Sequence, residues 1–314
     1  MSAPSITSPV AVESVADPER GHRRRLFVCY VLAIGLIVAL TVNGFSYYIL
    51  DTSQRPYAPQ HAALRPSGAV GLRLGMLGLG MFLVIFLYPL RKRWTWLGQI
   101  GSSRHWLDFH IVLGLTAPFV IAFHSSFKFR GFAGMAFWIM AAVSLSGVVG
   151  RYLYGQIPRK VSAVEISLKE LQETRERLLQ EIAKQRLFTA RDLEPLFKLP
   201  SEDDVARLPI AASLLYMVAL DIARPFHVAR LRIQLLSVVE VIITCGGLFR
   251  TNNVELERTI TLAREQAALS KRLLFLNRAQ QVFHLWHVVH KPFSYSFAVL
   301  ALLHIGVVFV LGYF

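Results

Sequence analysis

Four histidines carry the strongest chemical signal in the chain. His110 and His124 stand 14 residues apart in the apolar run 107–127, and His290 and His304 stand 14 residues apart near the end of the sequence. On an α-helix, 14 residues turn through about 1400°, which is about 40° short of four full turns, and rise about 21 Å. Each pair therefore lies on one side of its helix, with one imidazole toward either end.

This pattern fits the axial ligation of haem. Haem iron takes two imidazoles from opposite faces of the porphyrin, so its ligands must project from two facing helices at the same depth. A single buried histidine is more often a hydrogen-bonded packing residue, but two equally spaced pairs on apolar segments favour metal ligation. We predict two stacked b-type haems, with His110 paired to His290 and His124 paired to His304.

The midpoints of the two segments support the same arrangement. Ala117 lies seven residues from both histidines of its segment, and Phe297 lies seven residues from both histidines of the other. Seven residues make about two turns, so both midpoints fall on the ligand faces. A small residue opposite a phenylalanine would fill the gap between two haems, although ordinary packing also explains Phe297. Gly114 and Ala301 would give the porphyrins room.

The inner ligand has an alternative, because three histidines follow one another at three-residue intervals. His290 shares a face with His304, whereas His287 lies about 100° away from that face, so His290 is favoured. His105 with His287 or His284 could ligate a third haem, or could instead bind propionates, lipid phosphates or a quinone. The same three-residue spacing could also form a non-haem metal site.

Charged residues near the ends of these segments could bind the anionic haem propionates. The inner candidates are Arg104, Arg151 and Lys291, and the outer candidates are Lys128 and Arg130. Anchoring at the membrane surface explains each of them equally well. Three further histidines have no partner at useful spacing and are expected at the surface: His22, His61 and His227.

The composition is that of a membrane protein. The 314 residues are 54% hydrophobic, with a mean hydropathy of +0.45 and a net charge of +14. Lysine and arginine that hold loops on the cytoplasmic side explain this charge better than nucleic acid does, since no recognition motif accompanies it. The two cysteines, Cys29 and Cys245, lack metal-ligand spacing, which disfavours a zinc or iron–sulfur site in this chain.

We predict an all-α membrane bundle of about five transmembrane helices with a cytoplasmic helical insertion. Residues 1–24 are expected to form a disordered basic tail and residues 25–155 the first four transmembrane helices. Residues 285–314 contain the last one, expected to begin near Pro292, which suits the first turn of a helix or a kink at that point.

Charge and glycine patterns refine this topology. Basic clusters at 22–25, 91–93 and 151–160 all fall on one side, which puts the N-terminus inside and makes the third and last spans parallel. Glycines let membrane helices approach closely, and the second span carries four that could do so: Gly71, Gly75, Gly78 and Gly80.

Residues 156–284 are expected to form the cytoplasmic insertion. Val161–Ile182 carries apolar residues at heptad positions and a weaker stripe runs over 256–274, so the two segments could pair as a hairpin. They could simply cover each other or offer a docking surface to a redox partner. The apolar runs Leu208–Ile222 and Leu235–Phe249 are shorter than a comfortable span and are expected to be interfacial or buried, with a re-entrant pair as the alternative.

The histidine pairs His110-x13-His124 and His290-x13-His304 resemble the di-haem core of membrane domains of the ferric-reductase and NADPH-oxidase type. The stretches SGVVGRYLY (146–154) and WHVVHKPF (286–293) also look like those of bacterial membrane cytochromes of that broad kind. The resemblance covers the membrane spans. It implies electron transfer across the bilayer through two bis-histidine haems.

Two departures limit what this resemblance implies. Such domains usually have six spans and carry, or pair with, a flavin- and nicotinamide-binding module, whereas five spans and no such module are expected here. The charged insertion is also foreign to that pattern. The resemblance therefore does not imply a ferric or oxygen substrate for this chain. An iron–sulfur or flavoprotein subunit could dock at the insertion, and a quinone is a second candidate partner.

The sequence thus predicts a multi-pass electron-transfer subunit of the bacterial cytoplasmic membrane rather than a complete enzyme. Electrons would pass between a redox partner or quinone and an acceptor or donor on the other face. Two other functions are also consistent with the histidines. One is a membrane enzyme with a non-haem metal site at His284, His287 and His290, and the other is a transporter or structural subunit whose histidines handle protons or pack.

Overall fold

In the computed structural model, residues 18–157 and 190–312 are described, together with six isolated positions between 158 and 189. No strand occurs among these residues. Six helices in this part of the chain have the length and apolarity needed to cross a membrane. They are labelled α1 (Pro18–Tyr48), α2 (Ala69–Arg91), α3 (Ser103–His124), α4 (Gly131–Gln156), α5 (Ile210–Ile233) and α6 (Val254–Val310).

The helical architecture agrees with the predicted all-α class, and the long apolar helices are compatible with a multi-pass membrane protein. Short helical segments occur between the long ones: Arg55–Tyr57, His61–Leu64, Thr95–Gly98, Ala190–Phe197, Glu202–Arg207 and Val238–Ile243.

The first helix begins earlier than predicted. Because α1 starts at Pro18, residues 18–24 are helical and do not belong to a disordered tail. Proline suits the first helical turn, where its missing N–H would have no partner, and Glu19 complements the positive end of the helix. Residues 1–17 of the predicted tail and most of the predicted heptad segment 161–182 lie outside the described residues.

The chain divides into two compact units. One comprises residues 1–147 and 293–314, and the other comprises residues 148–292. The first unit contains α1, α2, α3, most of α4 and the end of α6, around a buried apolar cluster formed by Leu74, Met81, Ala117, Val120, Phe123 and Met140.

Glycines on α2 allow α3 to approach it closely. A Cβ atom added at Gly78 would lie 2.3 Å from Cδ1 of Ile121, and one at Gly75 would lie 2.8 Å from the His124 ring. The predicted role in close helix packing is therefore confirmed for these two glycines. It is wrong for Gly80, where an added Cβ would meet no atom within 4 Å. Gly80 lies about 200° from Gly78 around the helix and so faces elsewhere.

A buried arginine holds the connection at each end of α3. Arg91 donates hydrogen bonds of 2.7 Å to the carbonyls of Gly98 and Gly101 in the connection that precedes the helix. Arg55 donates to the carbonyl of Ser126 in the connection that follows it. Both guanidinium groups thus tie a connection of α3 to a buried side chain.

The second unit contains the end of α4, all of α5 and the first part of α6. The predicted apolar stripe over 256–274 is confirmed in its first turns, because Leu256, Ile260, Ala263 and Ala267 are buried together. The same cluster contains Val228 and Leu231 of α5 as well as Ile182. The Arg232 guanidinium binds the Glu257 carboxylate through two hydrogen bonds of 2.8 and 2.7 Å.

Two prolines lie inside long helices. The predicted apolar run Leu208–Ile222 continues through Pro225 as the 24-residue helix α5. The last span was expected to begin near Pro292, but α6 begins at Val254 and runs for 57 residues through that proline. A proline removes one intrahelical hydrogen bond at a cost of about 3 kcal/mol, which packing of the flanking turns can offset.

A buried ionic network joins three helical segments of the second unit. The Lys271 ammonium, only 2% exposed, forms an ion pair with the Asp221 carboxylate. The Tyr152 hydroxyl donates a 2.8 Å hydrogen bond to the same carboxylate, and Arg224 Nη1 lies 3.1 Å from its other oxygen. One carboxylate therefore faces two cations, of which Lys271 is buried whereas Arg224, like Asp221 itself, is partly exposed.

Neutralising Asp221 should destabilise this unit strongly. Asp221→Asn leaves the Lys271 ammonium buried without its counter-ion, and we expect a loss of about 3–5 kcal/mol in the free energy of unfolding. The double variant Asp221→Asn/Lys271→Met should recover at least half of that loss. Thermal unfolding in detergent measures the stability of both variants, and Asp203→Asn, at an exposed site, is the control. Equal stability of Asp221→Asn and the control would contradict this account of the network.

Candidate functional site

Both histidines of α3 are hydrogen-bonded to the backbone of α2. Nδ1 of His110 lies 3.1 Å from the carbonyl oxygen of Ile85, and Nδ1 of His124 lies 2.8 Å from the carbonyl oxygen of Gly71. The two acceptors are 14 residues apart, as the two histidines are, and occur in the reverse order. The helices are therefore antiparallel, and the same contact is repeated four turns apart.

These hydrogen bonds show which nitrogen of each ring carries a proton. A carbonyl oxygen can only accept, so Nδ1 must donate and must carry the proton. In a neutral imidazole this leaves Nε2 of His110 and of His124 with a lone pair. A histidine that donates Nδ1–H to a backbone carbonyl and offers Nε2 to a metal is the usual arrangement of a histidine ligand.

The acceptor for His110 follows from a proline. In a regular helix the Ile85 carbonyl would accept from the amide of residue 89, but this residue is Pro89 and has no N–H. The carbonyl of Ile85 is thus released from the helical pattern and takes its hydrogen bond from the imidazole. Tyr88 also contacts the ring, with centroids 5.2 Å apart.

The ring of His124 occupies space that a side chain at residue 75 would fill. A Cβ atom at Gly75 would lie 2.8 Å from Cε1 and 2.9 Å from Nδ1 of that ring. Any larger residue would therefore displace the imidazole from its hydrogen bond to Gly71. The glycine is needed for the position of the ring as well as for close helix packing.

The end of α6 packs against the apolar cluster of the first unit. Phe297 lies against this cluster, which contains Ala117, and its ring lies 5.6 Å from that of Phe82. Seven residues further along the helix, His304 lies within electrostatic range of the His124 imidazole. The ligation of one haem by His124 and His304 remains a prediction.

The three histidines before Pro292 belong to the second unit. His284 is exposed, whereas His287 and His290 are half-buried and contact the Trp286 indole at centroid distances of 4.9 and 4.6 Å. The pairing of His290 or His287 with His110 remains a prediction. No group of three or more His, Cys, Asp or Glu side chains suited to a metal ion occurs in the described parts of the chain.

The beginning of α3 contains a cluster that the sequence did not predict. His22 was expected at the surface, but it is 3% exposed and its Nε2 lies 3.0 Å from Oδ2 of Asp108. Its ring stacks on His105 at a centroid distance of 3.6 Å. Glu19 approaches both His105 and Arg104, at 3.9 and 3.7 Å. The two predicted site residues, His105 and Arg104, therefore have protein partners here.

The remaining predicted site residues lie in varied surroundings. An added Cβ at Gly114 would meet no atom within 4 Å, and Ala301 is half-buried. Lys128, Arg130 and Arg151 are exposed. The other two histidines expected at the surface, His61 and His227, are half-buried, and Nδ1 of His61 lies 3.0 Å from the Tyr47 hydroxyl.

Sequence inspection missed the part of the site that α2 supplies. The acceptors are backbone carbonyls, which no residue type reveals, and Gly75 was noted only for helix packing. Pro89 was a usable signal, because a proline inside an apolar span always releases the carbonyl four residues before it. The 14-residue interval between Ile85 and Gly71 then matches the histidine interval.

A pair of glycine substitutions tests the contact between α2 and the His124 ring. Gly75→Ala should lower the free energy of unfolding by about 1–3 kcal/mol, because the added methyl group overlaps the imidazole. Gly80→Ala, on the same helix but facing open space, should be neutral or slightly stabilising, since alanine favours helix over glycine. Thermal unfolding of both variants in detergent provides the comparison. Equal effects would contradict the described position of the ring.

No protein family, curated protein or solved structure matches this chain. The likeness of the histidine pairs to those of ferric-reductase and NADPH-oxidase type domains therefore remains an expectation from the sequence.

Proposed function

We propose that the chain is a b-type cytochrome subunit of a bacterial cytoplasmic membrane, with its N-terminus inside, that carries electrons across the bilayer through two haems. His124 and His304 would ligate the outer haem, and His110 with His290 the inner one. The observation that carries this proposal is the repeated hydrogen bond from Nδ1 of each α3 histidine to a carbonyl of α2. It leaves Nε2 of each ring available to iron.

The donor set fits haem better than a small metal ion. Haem iron already has four porphyrin nitrogens and needs only two axial ligands, which are commonly imidazoles. His124 and His304, which lie within electrostatic range of each other, would meet that need. A structural zinc or iron site would require three or four protein ligands, and none of the described residues form such a group.

The residues midway between the histidines also fit two flat ligands. Ala117 and Phe297, midway between the histidines, would then separate the two haems, and the open space beside Gly114 would admit a porphyrin edge.

The protein residues would hold the cofactor and adjust its properties. When bound, haem supplies a reversible one-electron change between ferric and ferrous iron. The carbonyls of Ile85 and Gly71 fix the ring orientations of His110 and His124 and make Nε2 a stronger electron donor, which favours the ferric state. Arg104 and Arg151 on the inner side and Lys128 and Arg130 on the outer side remain candidates for the propionates.

Electron flow would link partners on opposite faces of the membrane. The two ligand levels are about 21 Å apart along the helices, so the inner and outer haems would together reach toward both surfaces. The inner partner would be an iron–sulfur protein or flavoprotein docked on the insertion, or a quinone. The predicted docking helix over 161–182 lies largely outside the described residues.

Removing the outer ligands gives the most specific test. His124→Ala and His304→Ala should each reduce the bound haem to about half, because each removes an axial ligand of the same haem. Reduced-minus-oxidised spectra of purified protein measure this through the α-band. His61→Ala is the matched control, since its ring hydrogen-bonds Tyr47 and is not a proposed ligand.

Other outcomes point to the rival functions. A colourless protein that contains zinc or iron would favour the non-haem metal enzyme. A protein without metal would favour the transporter or structural subunit. Full haem content in both ligand variants would contradict the assignment of the outer pair.

The released carbonyl of Ile85 allows a second test on the inner haem. Pro89→Ala restores an amide that competes for this carbonyl and should weaken the hydrogen bond from His110. A weaker bond makes the imidazole a poorer donor, so the inner haem should become easier to reduce. A redox titration should show the potential of one haem rising while that of the other stays constant. A fall in the potential of the affected haem would contradict the proposed ligand role of His110.

A further inference from the structure

A cavity of about 420 Å³ lies within the second unit, between the short helix Ala190–Phe197 and the end of α5. Ligand pockets in proteins commonly have volumes of about 300–1,000 Å³, so this cavity has room for a small organic molecule. Every residue of its lining belongs to these two neighbouring segments. The cavity is therefore a feature of the second unit alone.

The apolar part of the lining belongs to the core of this unit. Leu196 and Leu231 line the cavity and are only 8% and 3% exposed. Both are members of one buried cluster, in which Leu193 of the short helix and Val228 of α5 also take part. The two helices that enclose the cavity are thus packed on a common core, and the cavity is a fixed feature of the fold.

The polar part of the lining comes largely from one face of α5. His227, Arg230 and Gln234 stand at intervals of three and four residues, and side chains at these intervals share a face of a helix. The orientation of this part of α5 is held by Arg232, whose guanidinium is bound to the Glu257 carboxylate of α6.

Two arginines of the lining have no partner in the part of the chain that the structure describes. Arg191, on the short helix, and Arg230, on α5, are exposed, and neither guanidinium takes part there in a hydrogen bond or an ion pair. Other arginines of the unit differ, because Arg224 and Arg232 are paired with carboxylates and Arg278 donates to backbone carbonyls. Two unpaired guanidinium groups that line one cavity are suited to bind an anion.

The other titratable groups of the lining leave positive charge in excess. Asp192 contributes one carboxylate, and this residue already has an interaction of its own. His227 is half-buried and adds an imidazole, which donates or accepts a hydrogen bond according to its protonation. Two guanidinium groups therefore accompany a single carboxylate, so the cavity favours an anion over a cation or a neutral ligand.

We propose that this cavity binds a phosphate monoester whose organic part is apolar. A phosphate monoester carries a charge of about −1.5 to −2 at pH 7 and three acceptor oxygens, so it can engage Arg191 and Arg230 together. A carboxylate has a single charge and two oxygens, which one arginine is enough to bind. The His227 imidazole supplies a further hydrogen-bond donor to the phosphate.

The size of the cavity and its apolar walls account for the organic part of the ligand. A phosphate alone would occupy only a small part of about 420 Å³. Pro195, Leu196, Leu231 and Ile233 also line the cavity and offer apolar contact to the rest of the molecule. A soluble phosphate ester and the headgroup of phosphatidic acid share this chemistry. The proposal requires neither haem nor a particular course of the chain through the membrane.

Isothermal titration of the full-length chain in phosphatidylcholine nanodiscs tests the site, with phenyl phosphate as the probe. We expect saturable binding of phenyl phosphate. Inorganic phosphate lacks the apolar group and benzoate has a single charge, so each should bind at least about tenfold more weakly. Absence of saturable phenyl phosphate binding, or binding of benzoate with equal affinity, would overturn the proposal.

Nanodiscs that also contain phosphatidic acid distinguish the two sources of the ester. Loss of phenyl phosphate binding in these nanodiscs would assign the site to the lipid headgroup. Unchanged binding would assign it to a soluble ester. Either result supports a site for a phosphate monoester, provided that the affinity depends on the two arginines.

Charge removal at each arginine tests that dependence. Arg191→Gln and Arg230→Gln should each weaken phenyl phosphate binding about 10- to 100-fold, because each removes charge-assisted hydrogen bonds to the phosphate. Lys198→Gln removes an exposed cation just beyond the same short helix and should leave the affinity unchanged. All three variants should unfold at the temperature of the unmodified protein. Unchanged affinity in both arginine variants would overturn the proposal.

Chemical modification of the unmodified sequence gives a measurement that needs no variant. Phenylglyoxal reacts with accessible guanidinium groups, and peptide mass spectrometry reports the extent of reaction at each arginine. Phenyl phosphate should protect Arg191 and Arg230 but not Arg207, which is exposed outside the cavity. Equal modification of Arg191 and Arg230 with and without phenyl phosphate would also overturn the proposal.

Discussion

The position of each α3 imidazole depends on one hydrogen bond to the backbone of α2. Backbone carbonyls move only if the helix moves, so a neutral ring held in this way has a fixed tautomer and a fixed orientation. The bond occurs twice, from His110 to Ile85 and from His124 to Gly71, and the equal 14-residue intervals mean that one antiparallel packing of two helices supplies both. Any movement of α2 along α3 would disturb the two histidines together.

Small features of α2 make that packing compatible with the histidines. Gly75 leaves room for the ring of His124, and Pro89 releases the carbonyl that His110 uses. The connections on either side of α3 are held by Arg91 and Arg55, each of which donates to several loop carbonyls. α2 therefore supports a site whose proposed ligands all lie on other helices. It can do so without any of its own side chains touching a cofactor.

The long apolar helices and the spacing of the histidines could be predicted from the sequence, because both depend on regular spacing along one helix. It was insufficient wherever the decisive partner is distant in the chain or belongs to the backbone. The burial of His22 depends on Asp108, which lies 86 residues away, and no local pattern connects them. The helices through Pro225 and Pro292 show packing overriding a local signal, since proline ends a helix only when neighbouring turns gain little from continuing. Gly75 and Gly80 look alike in sequence, and only the neighbouring helix distinguishes them.

The central claim is that α3 and α6 together hold two haems at two levels. The haem-to-polypeptide ratio of the purified full-length chain, determined from the pyridine haemochrome spectrum and quantitative amino-acid analysis, tests it most directly. Two b-type haems per chain are expected, because two levels each provide a pair of imidazoles. A purified, folded chain with no haem would contradict the claim, and a ratio of one would contradict the two-level arrangement.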